Sequence, residues 1–256
     1  MSIADCAALV ERGDPDRFRA AMTAPVAARE GLFPLYAFNV EVTRAPWASQ
    51  EPMICEMRLQ WWTDLLGQIA DGAAIQSHEV ATPLAGLVRE RGLDVAPLQA
   101  LVAARRWDIY RDPFESAEEF DRYLDASAAG LMWASAQALG APAELEPTVR
   151  DIGWAGGLAA LFRAVPALEA RGRFPLHDGR PGSVAALAHR GLERLSAARR
   201  VPISKEVAPA LRAAWRAEAS LKCAVSAPDR VVQGALEESP LRQWASLSRR
   251  VLTGRW

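Results

Sequence analysis

Apolar residues recur every three to four positions along most of the chain, and stretches that alternate residue by residue are nearly absent. The first spacing lays apolar side chains on one face of a helix, whereas strict alternation would mark a half-buried strand. The pattern predicts helices over 2–12, from Asp14 onward, from Pro25 to about Arg44 and from Glu51 to Gly72. More follow over 80–91, 94–110, 116–139, 147–168, 183–199, 204–225 and 239–253. Gly13 closes the first helix, and Asp14 caps the second with Pro15 at its first position. Ser116 with Glu119 forms the Ser-x-x-Glu spacing of a capping box. Pro34 falls inside the third helix, where a missing N–H and a ring clash predict a kink or a break. In "EPMICEMRLQWWTDLLGQIADG", Met53, Met57, Trp61 and Leu65 form one row, with Ile54, Arg58, Trp62 and Ile69 in the rows beside it. The longest irregular stretch is "EARGRFPLHDGRPG", 169–182. The expectation is one all-α domain over 1–256, a bundle of roughly ten helices.

Composition narrows the functional classes. Half of the residues are hydrophobic, enough for a sizeable core. With 30 basic against 31 acidic residues, no global field draws in nucleic acid. Cys6, Cys55 and Cys223 are odd in number and far apart, so they frame neither disulfides nor a CxxC metal site. His78, His177 and His189 lack the HxxxH spacing that zinc chemistry uses. Glu115, Glu118 and Glu119 cluster at a helix start, where the helix dipole alone favours acids. No basic-then-apolar leader opens the chain and no run approaches the roughly 18 apolar residues of a membrane span, so a reducing cytoplasm is expected. The aromatics Tyr36, Phe38, Trp61, Trp62, Tyr123, Trp133, Trp154 and Phe162 fit either a core or the lining of a long apolar pocket between helices.

Four segments occur in order: "DRFRAAMTAPVAAREGLFPLYAFN", "EPMICEMRLQWW", "YLDASAAGLMW" and "LFRAVPALEARGRFPL". Over about 15–180 they resemble the squalene/phytoene synthase family. That resemblance implies the isoprenoid synthase fold, a helical bundle around a central cavity. It also implies enzymes that join two prenyl diphosphates head to head, with Mg²⁺ held by aspartates at i and i+4 on two facing helices. The positions that match those aspartates are Thr43 and Trp47 in the first motif, Ala164 and Leu168 in the second. Only threonine among them offers an oxygen, and a neutral one. Glu41 and Glu169 are one or two positions out of phase, a rotation of roughly 100–200°. The resemblance therefore implies a non-catalytic protein without a metal. Mg²⁺ would return as cofactor only in the alternative, an active prenyl diphosphate synthase with displaced carboxylates.

Asn39 and Glu41 match the "AFN.E" pattern of the family's non-catalytic branch, which resembles assembly factors of respiratory complex I. That branch implies complex I subunits, or an isoprenoid- or lipid-like ligand, as partners. The candidate pocket residues are Tyr36, Asn39, Glu41, Tyr123, Phe162, Arg163, Arg171 and Arg173. Ala129 and Gly130 are small enough to let two helices approach closely. In "PLRQWASLSRRVLTGRW", Leu241, Trp244, Leu247 and Val251 share a stripe, with Arg242, Arg249, Arg250 and Arg255 beyond it. The stripe first suggests packing against the domain, with peripheral contact of 239–256 with the inner membrane as the alternative.

Overall fold

The computed structural model describes residues 2–256, and every regular element among them is helical. The helices are α1 (Ile3–Gly13), α2 (Pro15–Met22), α3 (Val26–Arg44), α4 (Pro52–Ala70), α5 (Ala81–Arg91), α6 (Ala96–Ala104) and α7 (Ala117–Leu124). They continue with α8 (Gly130–Ala138), α9 (Glu146–Glu169), α10 (Pro181–Ala198), α11 (Ala208–Leu211), α12 (Ala217–Ser226), α13 (Asp229–Val232) and α14 (Pro240–Leu252). No described helix is long and apolar enough to cross a membrane.

The third helix is the spine of the bundle. Residues 31–40 of α3 are all buried, so it is wrapped on every side rather than along one stripe. The helix runs through Pro34 without a break. Proline frees the carbonyl four residues back, and here that is Glu30, which is exposed and reaches water. Tyr36, Phe38, Trp154 and Phe162 are each no more than 1% accessible. These side chains are therefore part of the core of the bundle.

Glycines allow the closest crossing. A Cβ on Gly153 would stand 2.6 Å from the Ala129 Cα, and one on Gly157 would stand 2.3 Å from the Ala128 Cβ. Thus α9 lies against the small-residue segment ahead of α8 with backbones in near contact, and Ala129 plays the part its size suggests.

Elsewhere the structure corrects the periodicity. The helix expected over 94–110 stops at Ala104, and a 3-10 turn, Trp107–Ile109, follows. The span 116–139 contains a π-helical turn at Asp125–Ala129, where the Ser127 hydroxyl donates to the Tyr123 carbonyl (2.5 Å) in competition with the backbone ladder. The span 204–225 is broken by a 3-10 turn, Arg212–Ala214. There Arg212 donates to the Thr23 carbonyl and Arg216 to Asp16, so both arginines turn inward. In α4 the core face is Cys55, Leu59, Trp62, Leu66 and Ile69, while Met53, Met57 and Trp61 stand exposed. Ser116 caps Glu119 N, yet the Glu119 carboxylate accepts from Glu115 N rather than closing the box.

Candidate functional site

A cleft lies where α3 gives way to a 3-10 turn (Ala45–Trp47) and α4 begins. It has a volume of about 630 Å³, and its walls include Trp47, Pro52, Tyr110, Arg111, Arg171 and Arg173. One of the expected metal positions, Trp47, is therefore in its wall. Thr43 is half-buried one turn earlier, and its hydroxyl has no hydrogen-bond partner. Ala164 and Leu168, on α9, are half-buried and do not line the cleft.

The local fold brings arginines onto Trp47. After α9 the chain turns through Gly172 at φ +72°, a left-handed conformation that glycine adopts without a side-chain clash. Arg173 N then reaches back to the Leu168 carbonyl at 3.0 Å. This turn sets Arg171 and Arg173 astride the glycine, with each guanidinium carbon 5.0 Å from the centre of the Trp47 ring. Arg173 also donates to the Ile109 carbonyl (3.2 Å) and to the Tyr110 carbonyl. Arg111, from the loop after residue 109, extends to 3.9 Å from the position of a Cβ on Gly172. Burial, and then the neighbouring Arg111 charge, hold Arg173 below the usual arginine range. No carboxylate lines the cleft. Glu56 on α4 accepts from the cleft residue Tyr110 (3.3 Å) and is paired with Arg106.

Such a donor set does not fit Mg²⁺, which takes oxygen ligands in near-octahedral array. An indole, a neutral hydroxyl and alkyl groups offer no anionic oxygen, and the guanidinium groups repel a dication. Among the described residues no group of three or more His, Cys, Asp or Glu side chains stands close enough to share a metal ion. What the cleft can do chemically is hold an oxyanion, because guanidinium edges present forked donors while their faces stack on the indole.

The other candidates do not converge on this cleft. Tyr36 and Phe162 are core residues. Burial pushes the Tyr36 hydroxyl up to about 12, against the opposing charge of Arg17. Asn39 is buried, whereas Glu41, two positions on and thus rotated by roughly 200°, lines a separate surface depression with Arg58, Trp61 and His78. Tyr123 donates to both Asp108 oxygens (3.0 and 3.2 Å) and accepts from Arg105, inside an aromatic cluster with Trp107 and Phe114. Burial raises its hydroxyl well above the ordinary tyrosine range. Its polar end is committed to the fold, although its ring borders a shallow surface depression.

Arg163 is committed as well. It donates to Ser220 Oγ (3.2 Å) and to Asp16 Oδ2 (3.4 Å). The same Asp16 oxygen accepts from Arg216 at 2.8 Å, and Arg216 also pairs with Glu237. This clamp ties α2, α9 and α12 to the segment ahead of α14. A crevice of about 80 Å³ beside it is lined by Gly156, Gly157 and Arg163 among others. Sequence reasoning missed Asp16, Arg216, Tyr110 and Arg111. Nothing near them in sequence marks them, because their partners lie far along the chain.

Comparison with known proteins adds an independent line. Residues 10–224 match the family model described as squalene/phytoene synthase. A Drosophila melanogaster protein named NADH dehydrogenase (ubiquinone) complex I, assembly factor 6 homolog is 30% identical over 170 residues, 63% of this chain and 50% of that protein. The Homo sapiens protein named complex I assembly factor 6 is 25% identical over 163 residues, covering 63% of this chain and 48% of its own length. The chain thus spans about half the length of the curated relatives it matches. Among solved structures, a dehydrosqualene synthase in complex with ligand superposes with a TM-score of 0.79 at 16% identity, covering 98% of this chain and 95% of that one. The squalene synthase HpnC from Alicyclobacillus acidocaldarius gives 0.68 at 16% identity, over 98% and 94%. At that identity the likeness is one of fold.

Proposed function

The chain belongs to the squalene/phytoene synthase family, and from that premise we propose that it is a non-catalytic member with a role akin to complex I assembly, working through protein partners rather than prenyl transfer. The observation that carries this reading is Trp47, which stands where the family's first metal motif would place an acid and is covered by Arg171 and Arg173. Ionising an allylic diphosphate needs cations clamped on the leaving phosphates. Here the fixed cations are side chains, and no anionic oxygen is available to hold a metal between them. The packed interior around Tyr36 and Phe162 further disfavours a long prenyl chain as ligand. The named relatives supply the partner class: they are complex I assembly factors by name, and the subunits or assembly intermediates of that complex are the partners we assign to this chain. We place its work at the cytoplasmic face of the membrane that holds such a complex, as a peripheral protein.

Two experiments test the reading. Purified protein is incubated with farnesyl or geranylgeranyl diphosphate and Mg²⁺, and released pyrophosphate is counted. The expected rate equals the no-protein control, and sustained turnover would establish the alternative, an active synthase. Deleting the gene in its host should lower assembled complex I and its NADH oxidation, and normal complex I in the deletion strain would remove the assembly role.

A further inference from the structure

The last helix is mounted the wrong way round for core packing. It has no buried residue. Leu241, Trp244 and Leu252 are 80%, 72% and 86% accessible. On a helical projection they fall within roughly 80° of one another, so they form one outward stripe. The inward side carries half-buried Leu247 among polar groups. Gln243 donates to the Glu238 carbonyl (3.0 Å) and accepts from Arg19 (3.4 Å). Arg250 reaches toward Glu218 at 4.0 Å and donates to the Trp256 carbonyl, while Arg212 holds the Arg255 carbonyl at 3.1 Å. These tethers fix α14 on the surface with its apolar face turned to solvent. Of the stripe expected from sequence, Leu241 and Trp244 face solvent, Val251 is 38% accessible and Leu247 alone is half-buried.

The charge carried by α14 and the residues after it is of one sign, although Glu237 and Glu238 precede the helix and the Glu237 carboxylate accepts from Gln243 (3.4 Å). Segment 239–256 holds four arginines and no acidic residue, in a chain whose formal net charge is −1. Arg242 and Arg249 are exposed and lie roughly 80–100° from Leu241 along the helix surface. That sets them on one border of the stripe, and exposed Arg255 follows the helix.

We propose that α14 is an interfacial helix that docks the protein on an anionic lipid bilayer, with Leu241, Trp244 and Leu252 in the acyl boundary and Arg242, Arg249 and Arg255 at the phosphates. A tryptophan among leucines, bordered by arginines, matches the chemistry of the headgroup zone. A protein groove would cover the stripe too, but would have no need of an arginine border. The inference supplies the attachment for the peripheral location proposed above and is independent of whether the cleft is catalytic.

The test is flotation of the full chain with vesicles of phosphatidylglycerol and phosphatidylcholine, against phosphatidylcholine alone. The protein is expected to float with the anionic vesicles, to remain largely behind with the neutral ones, and to be released by high salt. Trp244 emission should shift to the blue on binding. The double variant Leu241→Glu, Trp244→Glu changes only exposed side chains, so its melting temperature and circular dichroism should match wild type while vesicle binding falls at least tenfold. Arg242→Gln with Arg249→Gln should weaken binding several-fold and flatten its salt dependence. Wild-type protein that stays in the soluble fraction, or a glutamate variant that floats as well as wild type, overturns the proposal. So does a wild-type dimer that the glutamate variant dissolves, since the stripe would then serve a second copy. Failure of flotation leaves the pyrophosphate and deletion experiments unaffected.

Discussion

Replacing Asp16 with alanine is expected to cost the fold about 2–3 kcal/mol. The Asp16 carboxylate is shared by two arginines whose side chains are only 8% (Arg216) and 17% (Arg163) accessible. Burial, and next the like charge of Arg216, already hold Arg163 below the usual arginine range. With the carboxylate removed, Glu237 is the one carboxylate the two guanidinium groups still share, with Asp14 also acting on Arg163. The Glu237 side chain is 59% accessible and stands 4.0 Å from Arg163. Stranding one partner of a buried ion pair costs roughly 3–5 kcal/mol. Asp16 keeps 23% of its side-chain surface in water, and Glu237 remains, so the cost falls just below that range, at about 2–3 kcal/mol. In a domain of this size each 1 kcal/mol moves the melting temperature by about 2–4 °C, giving a fall of about 5–10 °C.

Urea and thermal unfolding near neutral pH read this directly, and a second variant separates charge from packing. Adding Arg216→Met to Asp16→Ala removes the stranded cation and keeps an apolar stem of similar length. At least half of the lost stability should return. A single-variant loss below about 0.5 kcal/mol, in the range of an exposed ion pair, would refute the clamp. So would a double variant no more stable than the single. In either case Arg163 would again be free to serve as a pocket ligand.

Gly153→Ala places a Cβ 2.6 Å from the Ala129 Cα, and a backbone atom cannot step aside. The overpacking cost of roughly 1–3 kcal/mol should exceed a helix-propensity gain of up to about 1 kcal/mol, lowering the urea midpoint. Gly67→Ala, with nothing within 4 Å of the new Cβ, should raise it. Glu218 accepts from Arg199 and Lys222, and, against the opposing effect of burial, its carboxyl is pulled down to about 2. A depressed carboxyl contributes its stability in full above the unfolded value near 4.3. That stability is lost as pH falls from about 4.5 toward 2, and Glu218→Gln should remove this acid limb. The effect is about 1 kcal/mol, since Arg199 and Lys222 are 45% and 65% accessible and water screens the pairs. Native protein should titrate one thiol with a disulfide reagent, Cys223, and three once unfolded. Cys6 and Cys55 are buried, and burial, then the Asp5 charge, push the Cys6 thiol up to about 11.

Helices were legible here because an apolar residue every three to four positions has one physical meaning over a dozen residues. The direction a stripe faces was not. In α4 two apolar rows run side by side, and only the tertiary fold decides that Cys55, Leu59 and Trp62 go inside while Met53 and Met57 stay out. In α14 the stripe has the spacing of a core face, but polar tethers leave Leu241 and Trp244 in solvent. The break at 212–216 was hidden for a related reason. Two arginines look like a solvated face until Thr23 and Asp16, about 190 and 200 residues earlier in the chain, draw them inward.

The same distance problem conceals the sign of the candidate site. Aligned positions reveal which acids are missing, but a missing ligand alone leaves a neutral gap. The arginines turn the gap into a barrier. Each of the Arg171 and Arg173 guanidinium carbons is 5.0 Å from the centre of the Trp47 ring. A dication at that centre would meet each of them with about 1.7 kcal/mol of repulsion even at the dielectric constant of water, and several-fold more in a partly buried cleft. An aspartate restored at position 47 would stand within reach of the same two cations and pair with them before it could ligate a metal. "RGR" was visible in the sequence, but Arg111 joins it from a loop 60 residues earlier. The polarity of the cleft, cation-repelling and open to oxyanions, comes from that meeting of separate segments.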